Sequence, residues 1–391
     1  MTWTEAPAGM VLTGMGAVAG VGDDVDEIFE ALCAGRSGRA PLRGFDSTRF
    51  RARHAYEIDD RRSRKGMPLR ATSWLLRAVE EALADAGLRD DLGSVPVLVG
   101  TGLRELRSVE TAWHKGPDGE DFDLGWLHFG TALRERFGAT RTYTLSNACS
   151  ASLHTLAMAQ DMIAAGEADT VAVAGVDTIT ASMFGLLDRV QMTVPDRVRP
   201  FDRERRGTLM GDGAAAIVLT REDGSAGERA RSRLRGVAMN CDAGHPTAPD
   251  PRGISAAIRS AHERAGVKPG DIDLVVLHGT GTLLNDEAEA TAVGEVFGAH
   301  ASHPLMTALK GMTGHTSGGS GLLSLIVAAR SLSTGRVPPT VGLDDRVPGA
   351  EPFRFVLAGQ ARPTASPLRL AQINAFGFGG VNAVAILEGI A

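Results

Sequence analysis

Short apolar, β-branched runs recur along the whole chain, each bounded by glycine and each followed by an alanine-rich stretch of helical period. Residues 95–100 read as a buried strand preceded by a helix over 71–86, and residues 142–147 as a strand running into a helix that begins near Cys149 and extends to Ala165. Further strands are predicted at 170–175 and 214–219. The theme then repeats: a helix over 255–265, a strand over 272–277, a short strand over 304–309, a small-residue helix over 318–333, and a final hairpin from 369–374 and 383–387. Continuous apolar runs suit strands covered on both faces, and the order strand, helix, strand favours a layered α/β fold.

At 391 residues the chain is long for one core, so two halves are expected. The boundary falls in the polar stretch 221–233, with halves of 1–225 and 226–391 that share a layout without sharing a sequence repeat. The 48 glycines follow no period, which points to tight turns and close packing and away from disorder. A net charge of -6 argues against nucleic acid as the main partner. Cys33, Cys149 and Cys241 are too scattered for a disulfide framework or a zinc site, which fits a reduced, cytoplasmic setting. The first twenty residues lack a basic segment and carry Glu5, unlike a signal peptide. The longest apolar stretch, 321–332, is too short and too polar to span a bilayer, so no membrane partner is expected.

Four segments could carry chemistry. Cys149 sits where a strand turns into a helix, and unpaired N–H groups with the positive end of a macrodipole would lower its thiol pKa; the plainer reading is a small core residue. His278 opens a small-residue turn, His278-Gly279-Thr280-Gly281, at a strand end where open α/β folds expose functional groups. Lys310 and His315 follow one another through a glycine-rich turn, and an ammonium beside an imidazole favours its neutral form. The loop Gly377-Phe378-Gly379-Gly380 could donate backbone N–H groups to an oxyanion, or be only a hairpin turn. His154 reads as a core residue, Asp286, Glu287 and Glu289 as a solvated helix start, and Cys33 and Cys241 as structural. Phe45-Asp46-Ser47 superficially suggests a phosphopantetheine attachment site, without a carrier domain around it.

Taken together, Cys149, His278-Gly279-Thr280, Lys310 with His315, and Gly377-Phe378-Gly379-Gly380 resemble the β-ketoacyl-acyl carrier protein synthases of the thiolase superfamily, in the elongating type with a Cys-His-His triad. The resemblance runs from Val11-Leu12-Thr13-Gly14-Met15-Gly16 through Arg199-Pro200-Phe201-Asp202 and Gly211-Asp212-Gly213-Ala214 to Asn382. It implies an α/β fold of the thiolase-like kind, a five-layered αβαβα sandwich of two related halves, the second bearing the histidine pair. It implies that Cys149 accepts an acyl group, and that His278 and His315 hold the extender's carbonyl while carbon dioxide leaves. Lys310 would orient His315, and the N–H groups of Cys149 and Phe378 would form the oxyanion hole, with Phe378 gating entry. No resident cofactor is implied, because the substrates travel on the phosphopantetheine of an acyl carrier protein. That acidic partner would dock on Arg62, Arg64, Lys65 and Arg199. The resemblance also implies a homodimer or a heterodimer with a related subunit.

Residues 103–141 are shorter and more polar than in a fatty-acid elongating enzyme, and Glu105, Arg107, Lys115 and Glu120 lie where the family builds dimer contacts and the floor of the acyl pocket. Gln191-Met192-Thr193 and Thr316-Ser317-Gly318 also differ from that pattern. These departures point toward polyketide or specialised fatty acyl substrates. Two alternatives stay open: an acyltransferase or cyclase that omits decarboxylation, and a non-catalytic heterodimer subunit.

Overall fold

The computed structural model describes residues 9–59, 69–88, 91–115, 123–223, 226, 229–359, 364 and 367–390. The first half carries β1 (Met10–Ala19), a small hairpin of β2 (Ala40–Pro41) and β3 (His54–Ala55), then β4 (Val97–Thr101), β5 (Thr142–Ser146), β6 (Thr170–Asp177) and β7 (Gly213–Arg221). The second carries β8 (Ser232–Cys241), β9 (Leu274–Val276), β10 (Leu305–Thr307), β11 (Arg354–Phe355), β12 (Leu370–Gly377) and β13 (Val381–Gly389). The helices are α1 (Val25–Cys33), α2 (Arg70–Asp85), α3 (Leu106–Lys115), α4 (Phe129–Phe137), α5 (Ala151–Ala164), α6 (Ala181–Val190), α7 (Pro251–Ala265), α8 (Leu283–Phe297), α9 (Lys310–Thr313) and α10 (Ser320–Thr334).

Strand order reveals a duplication that the amino-acid sequence conceals. The first half runs β5-β4-β6-β7-β1 and the second β10-β9-β12-β13-β8, with β11 added at the outer edge. Pairing sense repeats as well: parallel between β5 and β4 and between β4 and β6, then antiparallel through β7 to β1. The second half gives the same series, ending with β8 antiparallel to β13. Met10–Leu12 of β1 pair with Ser232–Leu234 of β8, which joins the halves into one 11-stranded sheet.

Alternation along the strands sorts side chains into separate cores. On β7, Ala215, Ile217 and Leu219 face a central core with α1, α5 and α10, whereas Ala214, Ala216 and Val218 face α2 and α4. On β13, Ala383, Ala385 and Leu387 join the central core, and Val384 and Ile386 face α7 and α8. The layers therefore run α, β, α, β, α, the five-layered sandwich of two related halves that the resemblance implies. Small residues bring the layers close: a Cβ on Gly16 of β1 would lie 2.1 Å from the Ala78 carbonyl oxygen of α2.

Candidate active site

The site forms where β5 gives way to α5. Ala148 adopts φ of 47°, in the left-handed region that an L-residue enters only under constraint. The tight turn Ala148–Ser150 presents Cys149 before α5 begins. Gly100 on the neighbouring strand β4 makes room for this crossing, since a Cβ there would lie 2.6 Å from Ala151 C and Ser152 N. Asp177, at the buried end of β6, braces the same region. Its carboxylate accepts hydrogen bonds from Thr101 Oγ1 (2.8 Å) and from the N–H groups of Gly102 (2.8 Å), Leu103 (2.7 Å) and Gly318 (2.7 Å).

His278, just beyond β9, Lys310, which opens α9, and His315, which follows it, are all buried. The Lys310 ammonium donates to the His278 carbonyl oxygen and lies 3.3 Å from His278 Nδ1. Lys310 was expected to orient His315; it instead holds His278, and its positive charge reaches both rings. The His315 Nδ1 accepts from the Ser317 N–H at 3.3 Å. In the neutral rings these contacts leave the proton on Nε2 of each histidine. The ring centroids lie 5.4 Å apart. Burial first, and then the Lys310 charge, hold both imidazoles well below their ordinary pKa.

Cys149, His278, His315, Phe376 and Phe378 line one cavity of about 680 Å³ counted to its open mouth. Met183 and Leu187 of α6, with Thr208 and Met210, extend its wall in the first half, and Thr280, Thr282 and Asn285 extend it in the second. Phe378 is 39% exposed at the hairpin between β12 and β13. That turn is held by Gly379 N–H donating to the Pro246 carbonyl (2.8 Å) and by Asn382 Nδ2 donating to the Gly380 carbonyl (3.0 Å).

Cys149 departs from the expected acidity. Burial pushes its thiol up to about 11, and the Asp177 carboxylate adds to the rise; the Lys310 ammonium and the N–H groups of Phe378 and Cys149 itself pull it back. The helix-start argument omitted the desolvation cost, which is the largest influence here. Asp286 and Glu289 also differ from expectation: both are fully buried on the inner face of α8, while Glu287 faces outward and pairs with Arg205 at 2.7 Å. Glu289 accepts from the N–H groups of His278 (2.8 Å) and Gly279 (2.9 Å), and Asp286 accepts from Phe201 N–H (2.7 Å) and from Gly281 N–H. Their spacing, three residues apart on a helix beside Ala290 and Val293, was the signal that would have found them. Asp177 carried no such signal.

Residues 9–224 match the family model for the β-ketoacyl synthase N-terminal domain, and residues 231–344 match the C-terminal one. The chain belongs to the β-ketoacyl synthase family. It is 30% identical to 3-oxoacyl-[acyl-carrier-protein] synthase 2 of Vibrio cholerae, over 97% of this chain and 98% of that protein. It is 29% identical to nodulation protein E of Rhizobium meliloti, over 96% of this chain and 98% of that protein. Among solved structures, the ishigamide ketosynthase/chain length factor superposes with a TM-score of 0.89 at 32% identity, covering 99% of this chain and 100% of that one. A β-ketoacyl synthase from Burkholderia phymatum gives 0.86 at 26% identity, covering 98% of this chain and 100% of that one.

Within this β-ketoacyl synthase, the four predicted catalytic residues and Phe378 come together. Of the expected docking residues, Arg62, Arg64 and Lys65 lie outside the described residues, and Arg199 is partly exposed, 3.9 Å from Asp196, and does not itself line the cavity. His154 turns back onto the Ser150 carbonyl at 3.0 Å, as its structural reading requires. Glu105 is buried as a cap on α2, accepting from Thr72 N–H and Thr72 Oγ1, and does not line the cavity. Lys115 ends α3, and Glu120 lies outside the described residues. No helix among the described residues is long and apolar enough to cross a membrane.

Proposed function

We propose that Cys149, His278 and His315 carry out the β-ketoacyl synthase reaction in the cavity they share. The observation that carries this reading is the gathering of one thiol and two imidazoles, each contacted at Nδ1, around a single cavity. Cys149 Sγ bonds to the acyl carbon of a carrier-borne thioester, and the departing phosphopantetheine thiol takes the proton that Cys149 gives up. A malonyl-type thioester then enters. Its carboxylate leaves as carbon dioxide, and the Nε2–H groups of His278 and His315 hold the enolate oxygen that the electron pair creates. The enolate carbon attacks the Cys149 thioester, the N–H groups of Cys149 and Phe378 hold the resulting oxyanion, and the C–S bond breaks to release the β-ketoacyl product. Lys310 holds His278 and keeps both rings neutral. No resident cofactor takes part.

The carrier is acyl carrier protein, by likeness to relatives named for it, and Arg62, Arg64, Lys65 and Arg199 are its proposed docking residues. The departures in 103–141 and the likeness to the ishigamide ketosynthase/chain length factor favour polyketide or specialised fatty acyl chains. A ketosynthase-type second subunit, its own copy or a relative, is supported by the open edge of β5 with Tyr143 exposed, and by exposed Trp113 and Leu124. The setting is cytoplasmic, and the halves divide at 225.

Intact-mass spectrometry after incubation with acyl carrier proteins bearing different chains tests the reading. A mass gain equal to the acyl group, absent in Cys149→Ala, together with carbon dioxide release from a malonyl thioester, is the expected result. Acylation without carbon dioxide release favours the acyltransferase reading, and no acylation of a folded protein favours the non-catalytic one.

A further inference from the structure

The outward face of β12 departs from the apolar pattern of its sheet. Leu370 and Phe376 on this face join the core with α7 and α8, but Gln372 and Asn374 between them are amides, both buried. His262 of α7, also buried, brings its Nε2 to 2.7 Å from Gln372 Oε1. Gln372 Nε2 donates to Asn374 Oδ1 at 2.8 Å, and Asn374 Nδ2 donates to Glu289 Oε1 at 3.0 Å. The carboxylate end fixes every direction. Ionised, Glu289 can only accept there, so in that state each amide turns its oxygen toward the preceding donor and His262 carries its proton on Nε2. Four buried groups from α7, β12 and α8 thus form one file of hydrogen bonds pointing at the carboxylate that holds the His278 and Gly279 N–H groups.

We infer that His262 and Gln372 are positioning residues that act through Asn374 on Glu289, and thereby set the charge on Lys310 and the reactivity of Cys149. The inference rests on the catalytic assignment above. Each donor in the file polarises the next and strengthens the last bond, which favours the ionised form of Glu289. The ionisable groups acting on Glu289 and Lys310 are Asp286 on the same helix and Cys149 across the cavity, and His278 lies against both. Burial disfavours both Glu289 carboxylate and Lys310 ammonium, and the Glu289 charge sustains the Lys310 one. With Glu289 neutral, Lys310 gives up its proton more readily, and Cys149 loses the cation that favours its thiolate. An intact file therefore keeps the thiol more reactive at neutral pH.

The test is the pH dependence of Cys149 alkylation by iodoacetamide, followed by intact mass between pH 6.5 and 9.5 with no acyl substrate present. Gln372→Met cuts the file at similar volume. Its alkylation profile is expected to move upward by up to about one pH unit, with a several-fold slower rate near pH 8. His262→Phe removes only the distal donor and keeps the edge contact to Phe297 (5.7 Å between centroids), so a smaller shift in the same direction is expected. A profile superimposable on the parent's in either folded variant, or one displaced downward, overturns the inference. If Gln372→Met fails to fold, the His262→Phe profile decides alone. Because the assay uses no substrate, its failure leaves the proposed reaction untouched, and failed acylation leaves the file untouched.

Discussion

Replacing Asp177 with asparagine separates what this carboxylate does for the fold from what it does to the thiol. The carboxylate accepts four hydrogen bonds, three of them from backbone N–H groups. Asparagine offers one acceptor oxygen, and its amide nitrogen turns two donors toward the donors already there. Two lost bonds to a charged acceptor, with their N–H groups buried and unpaired, amount to about 3–5 kcal/mol. For 391 residues the unfolding entropy near 60 °C is about 0.8 kcal/mol per kelvin, so Tm should fall by about 4–6 °C. The same substitution removes a negative charge that opposes thiolate formation at Cys149. Asp177→Asn should therefore be less stable than the parent and yet alkylate faster at pH 8. Thermal denaturation and mass-resolved alkylation on one preparation read both effects. An unchanged Tm, or slower alkylation by a folded variant, would refute the reasoning.

Three further outcomes follow from the site. Gly100→Ala must displace the start of α5 by roughly 1 Å, because its Cβ meets backbone atoms at 2.6 Å; condensation should fall about 100-fold in a protein whose circular dichroism is unchanged. The imidazoles of His278 and His315 stay neutral as pH falls, since burial and Lys310 lower both; their ring signals in NMR should remain flat from pH 8 to 6, and a midpoint near 6.5 would contradict this. Arg205→Ala leaves the carbonyls of Thr282, Leu283 and Asp202 without their guanidinium partner, and should cost about 2–4 kcal/mol in chemical denaturation.

The fold was legible wherever an apolar run stayed unbroken. Strands β4, β6 and β7 and helices α2, α5, α7 and α10 lie within a few residues of their expected places. The first strand of each half was not legible. In β1, Gly14 and Gly16 interrupt the run because α2 packs directly on them; in β8, Arg233 and Arg235 pair with Glu222 and Glu388, and the polar start of the strand fell in the stretch 221–233 read as linker. The residues that share the cavity, Cys149, His278, His315 and Phe378, with Lys310 behind them, were legible because each stands near a strand end beside small residues. Of the carboxylates behind them, Asp286 and Glu289 were readable only from their helical spacing beside Ala290 and Val293, and Asp177 not at all, since it serves N–H groups from distant segments that leave no local pattern.

Because β5 and β10 hold the same place in the two half-sheets, the turns that follow them are counterparts across an approximate dyad. One turn presents Cys149 and passes the chain to α5; the other presents Lys310 and His315 and passes it to α10. The residues that open these two central helices touch each other where the halves meet. Kept identical, such turns would face thiol with thiol or imidazole with imidazole. The two copies, which share no sequence repeat, place unlike groups here: one turn carries the thiol of Cys149 and the other the Lys310 ammonium and the His315 imidazole. Difference between counterpart turns thus lets a repeated fold gather unlike groups round one cavity, and neither half holds all of them alone.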